Sequence, residues 1–172
     1  MKDQLMTFAA LRTTTALAAA LMLAPAIAGA QDIVRHKIPN SDFPIAQAVT
    51  IPPNATIHFI SGQVPPVVDK AADQNAIAAF GDTKTQTIGV LNRIKDILAG
   101  MGLGMGDVVK MQVFLVGDPA TKGRADITGF MAGYTQFFGG AQPNLPARAV
   151  MQVAALSNPG WLVEIEVVAA KK

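Results

Sequence analysis

The apolar period of this chain changes from two residues to between three and four and back again, and does so twice. That order limits the possible folds more than any other feature. Alternation buries one face of a strand, whereas a spacing of three and four buries one stripe of a helix. Val34 to Ile38, Pro44 to Thr50 and Thr56 to Ser61 read as strands, with the turn signal Pro52-Pro53-Asn54 between the last two, so the three together predict a meander. Pro65 to Phe80 has no clean period and reads as a surface loop. A first helix follows, capped by Asp82 or Thr83, with Ile88, Leu91, Ile94 and Leu98 on one side and Gly100 and Gly102 at its end. Val109, Met111, Val113 and Leu115 then alternate with Lys110 and Gln112 as a half-buried strand over 108–116. A second helix carries Ile127, Phe130, Met131, Tyr134 and Phe138 as a core stripe and stops at Gly139-Gly140. Two strands close the chain, Ala147 to Val153 and Trp161 to Val168, joined by Ser157-Asn158-Pro159-Gly160.

Strands, helix, strand, helix, strands fit an α+β domain in which one sheet carries two helices on one face. The opposite face is left without a helix. In a chain that is 51% hydrophobic, that face is a candidate for burial against identical subunits.

The first thirty residues stand apart from this pattern. Lys2 and Arg12 precede an uncharged run from Ala16 to Ile27 that ends in Ala28-Gly29-Ala30. This is the three-part layout of a cleavable secretory signal, with Gln31 as the expected mature N-terminus. About a dozen apolar residues fall short of the roughly 20 that cross a bilayer. The expectation is therefore a signal peptide over 1–30 and one domain over 31–172, exported to a periplasm or secreted, with no stable membrane association after cleavage. Cleavage removes Lys2, Arg12 and Asp3, which lowers the formal charge from +2 to +1. The remaining basic residues are scattered, so nucleic acid is not an expected partner.

No cysteine is present, which removes disulfides, thiol nucleophiles and thiolate metal sites together. His36 and His58 are the two imidazoles, too few for a histidine metal cage without carboxylates. There is no Gly-x-Ser-x-Gly elbow, no His-Glu-x-x-His and no phosphate loop; the glycines at 100, 102, 104 and 106 follow a helix instead of opening one.

Two features remain. Leu145-Pro146-Ala147-Arg148 places an arginine at the start of a strand otherwise rich in Ala, Val and Met. An arginine there can offer its planar fork to a carboxylate in a partly dry site. On pattern alone the reading as a strand-edge side chain reaching to water stands ahead of it. The second feature is Glu164 and Glu166, the chain's two glutamates, on the face of one strand opposite Val163, Ile165 and Val167. They fit a solvated strand face, and they also fit a cleft carboxylate that orients water. Both readings stay open from pattern.

Ile60-Ser61-Gly62-Gln63-Val64-Pro65, Gly106-Asp107-Val108-Val109-Lys110, Pro146-Ala147-Arg148 and Val163-Glu164-Ile165-Glu166 occur in the order and at about the spacing of one family. With these motifs the chain resembles the RidA (YjgF) reactive-intermediate deaminases, also called 2-iminobutanoate/2-iminopropanoate deaminases. The resemblance spans essentially the whole of 31–172. It implies a chorismate-mutase-like α+β fold and a homotrimer with active sites in the clefts between subunits. It also implies hydrolysis of 2-imino or enamino acids to 2-keto acids and ammonia, with no metal or organic cofactor. By position, Arg148 matches the arginine that grips the substrate carboxylate and Glu164 the glutamate that positions water. Gly62 lies in the loop lining the pocket. Ile45 stands where a tyrosine is frequent, Val150 where many members have cysteine, and Met131 where asparagine is common, so the pocket is expected to be more apolar. The 65–80 loop is longer than in compact members. From another class, a non-catalytic trimer that binds small carboxylates or shields client proteins outside the cytoplasm fits the same residues. Ribonuclease activity, attached to the family by name, would need a His pair or a basic groove that this sequence does not supply.

Overall fold

The computed structural model describes residues 32–140 and 142–172; the expected signal peptide over 1–30 lies outside them. Eight elements build the fold: β1 (Val34–Lys37), β2 (Ala46–Thr50), β3 (Thr56–Gln63), α1 (Thr83–Gly100), β4 (Val108–Val116), α2 (Ile127–Tyr134), β5 (Ala147–Val153) and β6 (Val163–Lys171). Short 3₁₀ turns at Ile77–Ala79, Met105–Asp107 and Pro119–Thr121 join them.

The six strands form one mixed sheet in the order β1-β2-β5-β4-β6-β3. β5 runs parallel to both β2 and β4, and the other pairs are antiparallel. The expected meander does not form, because β1 pairs with β2 while β3 crosses to the far edge and pairs with β6. Pro52 and Pro53 explain this. They supply no amide donors to extend a ladder out of β2, and they turn the chain away before Thr56. Period-two alternation specifies which face of a strand is buried, not which strand it meets. The two C-terminal strands are likewise not neighbours, since β4 lies between them.

Both helices sit on one face, as the element order predicts. Val90, Leu91, Ile94 and Leu98 of α1 are fully buried against Met111, Val113, Leu115, Val163 and Ile165 of the sheet. Asp82 caps α1, its Oδ1 accepting from the Thr85 amide at 2.8 Å. Gln86, also of α1, donates to Gly81 O and Gly160 O and accepts from Leu162 N, so three backbone groups in the buried zone depend on one amide side chain. The second helix is shorter than its stripe suggests. It ends at Tyr134, where Thr135 is the C-cap, and Phe138 reaches the core from the following turn. Ile127, at the start of that stripe, is half-exposed.

The 65–80 segment is tied down along its length. The Val68 and Asp69 amides both donate to Ala79 O, and Asn158 Nδ2 donates to Gln74 O. Gly160 packs so closely beneath it that a Cβ there would lie 2.6 Å from Ala76 O and 2.8 Å from the Phe80 ring. No helix among the described residues is long and apolar enough to cross a membrane.

Candidate active site

Register assigns each candidate to a face. Residues paired across a ladder point to the same side of a sheet. Arg148 pairs with Met111, and Met111 with Val167, so Arg148 points to the helix-covered face. Glu164 pairs with Phe114, and Phe114 with Met151, which is the opposite face. Within one chain the two residues therefore lie on opposite sides of the sheet. A site that uses both must draw them from two copies.

Arg148 leaves the sheet beyond the end of the apolar core and enters a cage. Its Cζ lies 4.2 Å from the Tyr134 ring centroid, 5.1 Å from that of Phe130 and 5.5 Å from that of Phe43. Its Nη2 donates to Met131 Sδ at 3.4 Å, a weak acceptor. Nη1 is buried and has no hydrogen-bond partner. The ion pair found among the described residues joins Lys172 to Asp32 and does not involve Arg148. Burial pulls the guanidinium below its ordinary value, with Tyr134 acting against that pull. Burial likewise pushes the Tyr134 phenol up to about 12, while the nearby Arg148 charge works the other way.

The helix α2 builds this cage for a local reason. Asp126 accepts from the Gly129 amide and starts the helix, after which Phe130 and Tyr134, four residues apart, share one side. Their rings lie 5.7 Å apart, and Tyr134 stacks on Phe138 at 4.9 Å. The Tyr134 hydroxyl donates to Pro44 O at 2.7 Å, which brings the Phe43 to Ile45 segment against the cage. Sequence reasoning placed Phe130 and Tyr134 in the core and overlooked Phe43. The spacing of four between the two α2 aromatics, each directly after a helical glycine (Gly129 and Gly133), was the available signal.

On the other face, Gly62 and Glu164 meet. Strand β3 holds one extra residue between Ile60 and Gln63 relative to β6, a bulge of the kind that re-aims side chains. It brings Gly62 beside the Glu164 carboxylate, so that a Cβ at position 62 would lie 3.0 Å from Glu164 Cδ and 3.3 Å from Cγ. The two glutamates differ. Glu166 accepts from Gln112 Nε2 across the β4–β6 ladder, whereas half-buried Glu164 makes no hydrogen bond or ion pair among the described residues. Next to them, a cavity of about 400 Å³ is lined by Phe59, Ser61, Lys110, Gln112, Glu166 and Val168. Phe59 is 81% exposed there, and Ile57 and Met151 on the same face are also open.

Ile45 and Val150 belong to the Arg148 side. Val150 follows Arg148 by two residues on β5 and packs against the core. Ile45, half-buried, lines a cavity with Phe43 and Leu145. The predicted site residues thus fall into two groups: Arg148, Ile45 and Val150 on the helix side, Gly62 and Glu164 on the open side.

Residues 36–171 match the family model described as endoribonuclease L-PSP. The chain is 31% identical over 140 residues to a RutC family protein of Pyrococcus abyssi, covering 81% of this chain and 96% of that one. It is 29% identical over 140 residues to the 2-iminobutanoate/2-iminopropanoate deaminase of Salmonella typhimurium, covering 81% and 97%. Among solved structures, Escherichia coli TdcF with bound serine matches with a TM-score of 0.53 and 28% identity over 83% of this chain and 99% of that one. With the fold and the match over 36–171 in agreement, the chain belongs to the endoribonuclease L-PSP family, the YjgF or RidA proteins.

Proposed function

We propose that this protein hydrolyses 2-imino or enamino acids to 2-keto acids and ammonia, acting as an exported homotrimer. The observation that carries this reading is the state of Arg148. A half-buried guanidinium with three aromatic faces around it, a thioether as its acceptor and a buried, unpartnered Nη1 lacks an anion. Buried polar groups are ordinarily satisfied, and a charged one especially so. A substrate carboxylate supplies two acceptors in the plane of the fork. The relative named as an imine deaminase and the serine held by TdcF, itself an α-carboxylate, support the choice of ligand.

The chemistry then needs a water held against the imine carbon. Glu164, free of protein partners beside a residue without a side chain, has room for that water. Its carboxylate takes a proton from the water as the water oxygen bonds to C2 of the substrate, and passes that proton to the imine nitrogen. The carbinolamine so formed collapses: the hydroxyl proton moves through the same carboxylate to the amine nitrogen, the C2–N bond breaks as the C2 carbonyl forms, and ammonia leaves a 2-keto acid. General-base help of this kind contributes about 10² to 10⁴ in rate, and fixing the carboxylate adds the advantage of orientation. Because Arg148 and Glu164 occupy opposite faces of one sheet, the reading places each site between two subunits. Packing of the open faces in a closed trimer would also cover Phe59.

The test is competition for an imine. Imino acids generated by an amino-acid oxidase are trapped with semicarbazide, and the mature protein should suppress trapping in proportion to its concentration. Arg148→Ala should abolish the effect. Undiminished trapping across small and bulky imines rules out the enzyme and leaves a trimer that binds carboxylates or shields clients.

A further inference from the structure

We infer that the compartment beside Arg148 selects 2-imino and 2-oxo acids with an apolar side chain, up to about the size of a benzene ring, and that Phe43 and Ile45 read it. This inference rests on the deaminase reading for the identity of the reacting group, but not for the binding preference.

A cavity of about 150 Å³ is walled by Ile38, Phe43, Ile45 and Leu145. That volume is about the size of a benzene-sized guest. Phe43 joins the cavity to the clamp, since it lines the former and its ring centroid lies 5.5 Å from Arg148 Cζ. A carboxylate on Arg148 would therefore carry its substituent along Phe43. The polar members of the lining are Lys37 and Asp42, which are opposite in charge, and Ser41.

The wall itself offers no free hydrogen-bonding group along the 43–45 backbone beyond the Ile45 carbonyl. The Phe43 amide donates to Ser41 Oγ, the Phe43 carbonyl accepts from Ile45 N, and the Pro44 carbonyl accepts from the Tyr134 hydroxyl. The next amide, Ala46 N, donates to Pro146 O. A substrate hydroxyl seated against the 43–45 stretch, away from Lys37, Ser41 and Asp42, gives up water for little in return, a loss of about ten-fold or more in affinity. Each methylene buried instead gains about four-fold. These bonds also fix the wall, so the compartment exists before the ligand arrives, which favours shape selection over adaptation.

The experiment measures binding of pyruvate, 2-oxobutanoate, 4-methyl-2-oxopentanoate, phenylpyruvate and 3-hydroxypyruvate to the mature protein by calorimetry, with turnover of the matching imines in parallel. The expected result is an affinity for 4-methyl-2-oxopentanoate at least about ten-fold above that for pyruvate, with 3-hydroxypyruvate below 2-oxobutanoate. Phe43→Ala and Ile45→Ala should each compress the first ratio to less than about three-fold. Phe43 is about half exposed and outside the core cluster, so its replacement leaves the core intact. A flat series, or tightest binding by the hydroxylated acid, overturns the inference. A graded series that disappears in Arg148→Ala, with no imine turned over, keeps the selectivity and overturns the deaminase reading. Turnover with a flat series does the reverse.

Discussion

Replacing Arg148 by methionine separates a ligand clamp from a structural strut. The three rings around the guanidinium lie at 4.2, 5.1 and 5.5 Å, and together their cation–π attraction is worth about 2–3 kcal/mol. A methionine in the same space recovers about 1 kcal/mol through sulfur–aromatic contact, and its methylenes keep the packing of the arginine stem. Against the remaining loss stands a buried Nη1 with no acceptor, whose desolvation costs about 1–3 kcal/mol. The terms nearly cancel. Arg148→Met is expected to leave the unfolding free energy unchanged or to raise it by about 1 kcal/mol, read from urea midpoints at one fixed protomer concentration. Carboxylate binding should respond very differently. Two charge-assisted hydrogen bonds lost amount to about 3–5 kcal/mol, or about two to nearly four orders of magnitude in the Kd of 2-oxobutanoate by calorimetry. A variant destabilised by more than about 2 kcal/mol that still binds the acid within three-fold would make Arg148 a strut and not a clamp.

Gly62→Ala should fold, since the group its Cβ meets is the movable end of Glu164, but displacing that carboxylate by about 1 Å should lower kcat roughly 10²-fold with little change in substrate Kd; an unchanged kcat contradicts the role given to Glu164. Gln86→Leu orphans Gly81 O, Gly160 O and Leu162 N in one step, and urea unfolding should show a loss of about 3–5 kcal/mol. The neutral form of Tyr134 is favoured in the fold, its phenol standing at about 12 against 10.0 in the open chain. Its contribution to stability is therefore complete below pH 10 and is lost as pH rises toward 12. The stability difference between the wild type and Tyr134→Phe should shrink across that window, and a constant difference would remove the electrostatic link to burial.

Much of the fold was legible because hydrophobic period reports burial directly. The alternation of Val109, Met111, Val113 and Leu115 and the stripe of Leu91, Ile94 and Leu98 lie where the pattern put them. Strand order was less accessible. Nothing in Thr56 to Ser61 distinguishes pairing with β2 from pairing with β6, and the outcome depends on Pro52 and Pro53 and on contacts more than a hundred residues away in the chain. The site divides in the same way. Arg148 stood out as a charge at the head of an apolar strand, but its cage is assembled from Phe43, Phe130, Met131 and Tyr134, which join only when α2 docks. The pair Glu164 and Glu166 was visible as a motif. What separates them is Gln112, a cross-strand neighbour of Glu166 that leaves Glu164 unengaged. That Arg148 and Glu164 face opposite ways could not be read locally, because each alternation is defined only within its own strand and the register joining them runs through β4.

The central claim is that the two halves meet across subunits, and mixing inactive variants tests it. Arg148→Ala and Glu164→Gln are co-expressed with different tags, mixed assemblies are isolated, and imine hydrolysis is measured per protomer. In a closed three-subunit ring whose sites each take Arg148 from one subunit and Glu164 from the next, every mixed assembly, two to one either way, keeps about one site in three intact. Activity near a third of wild type is expected from two variants that are each inactive alone. Mixed assemblies with no more activity than either parent would contradict it.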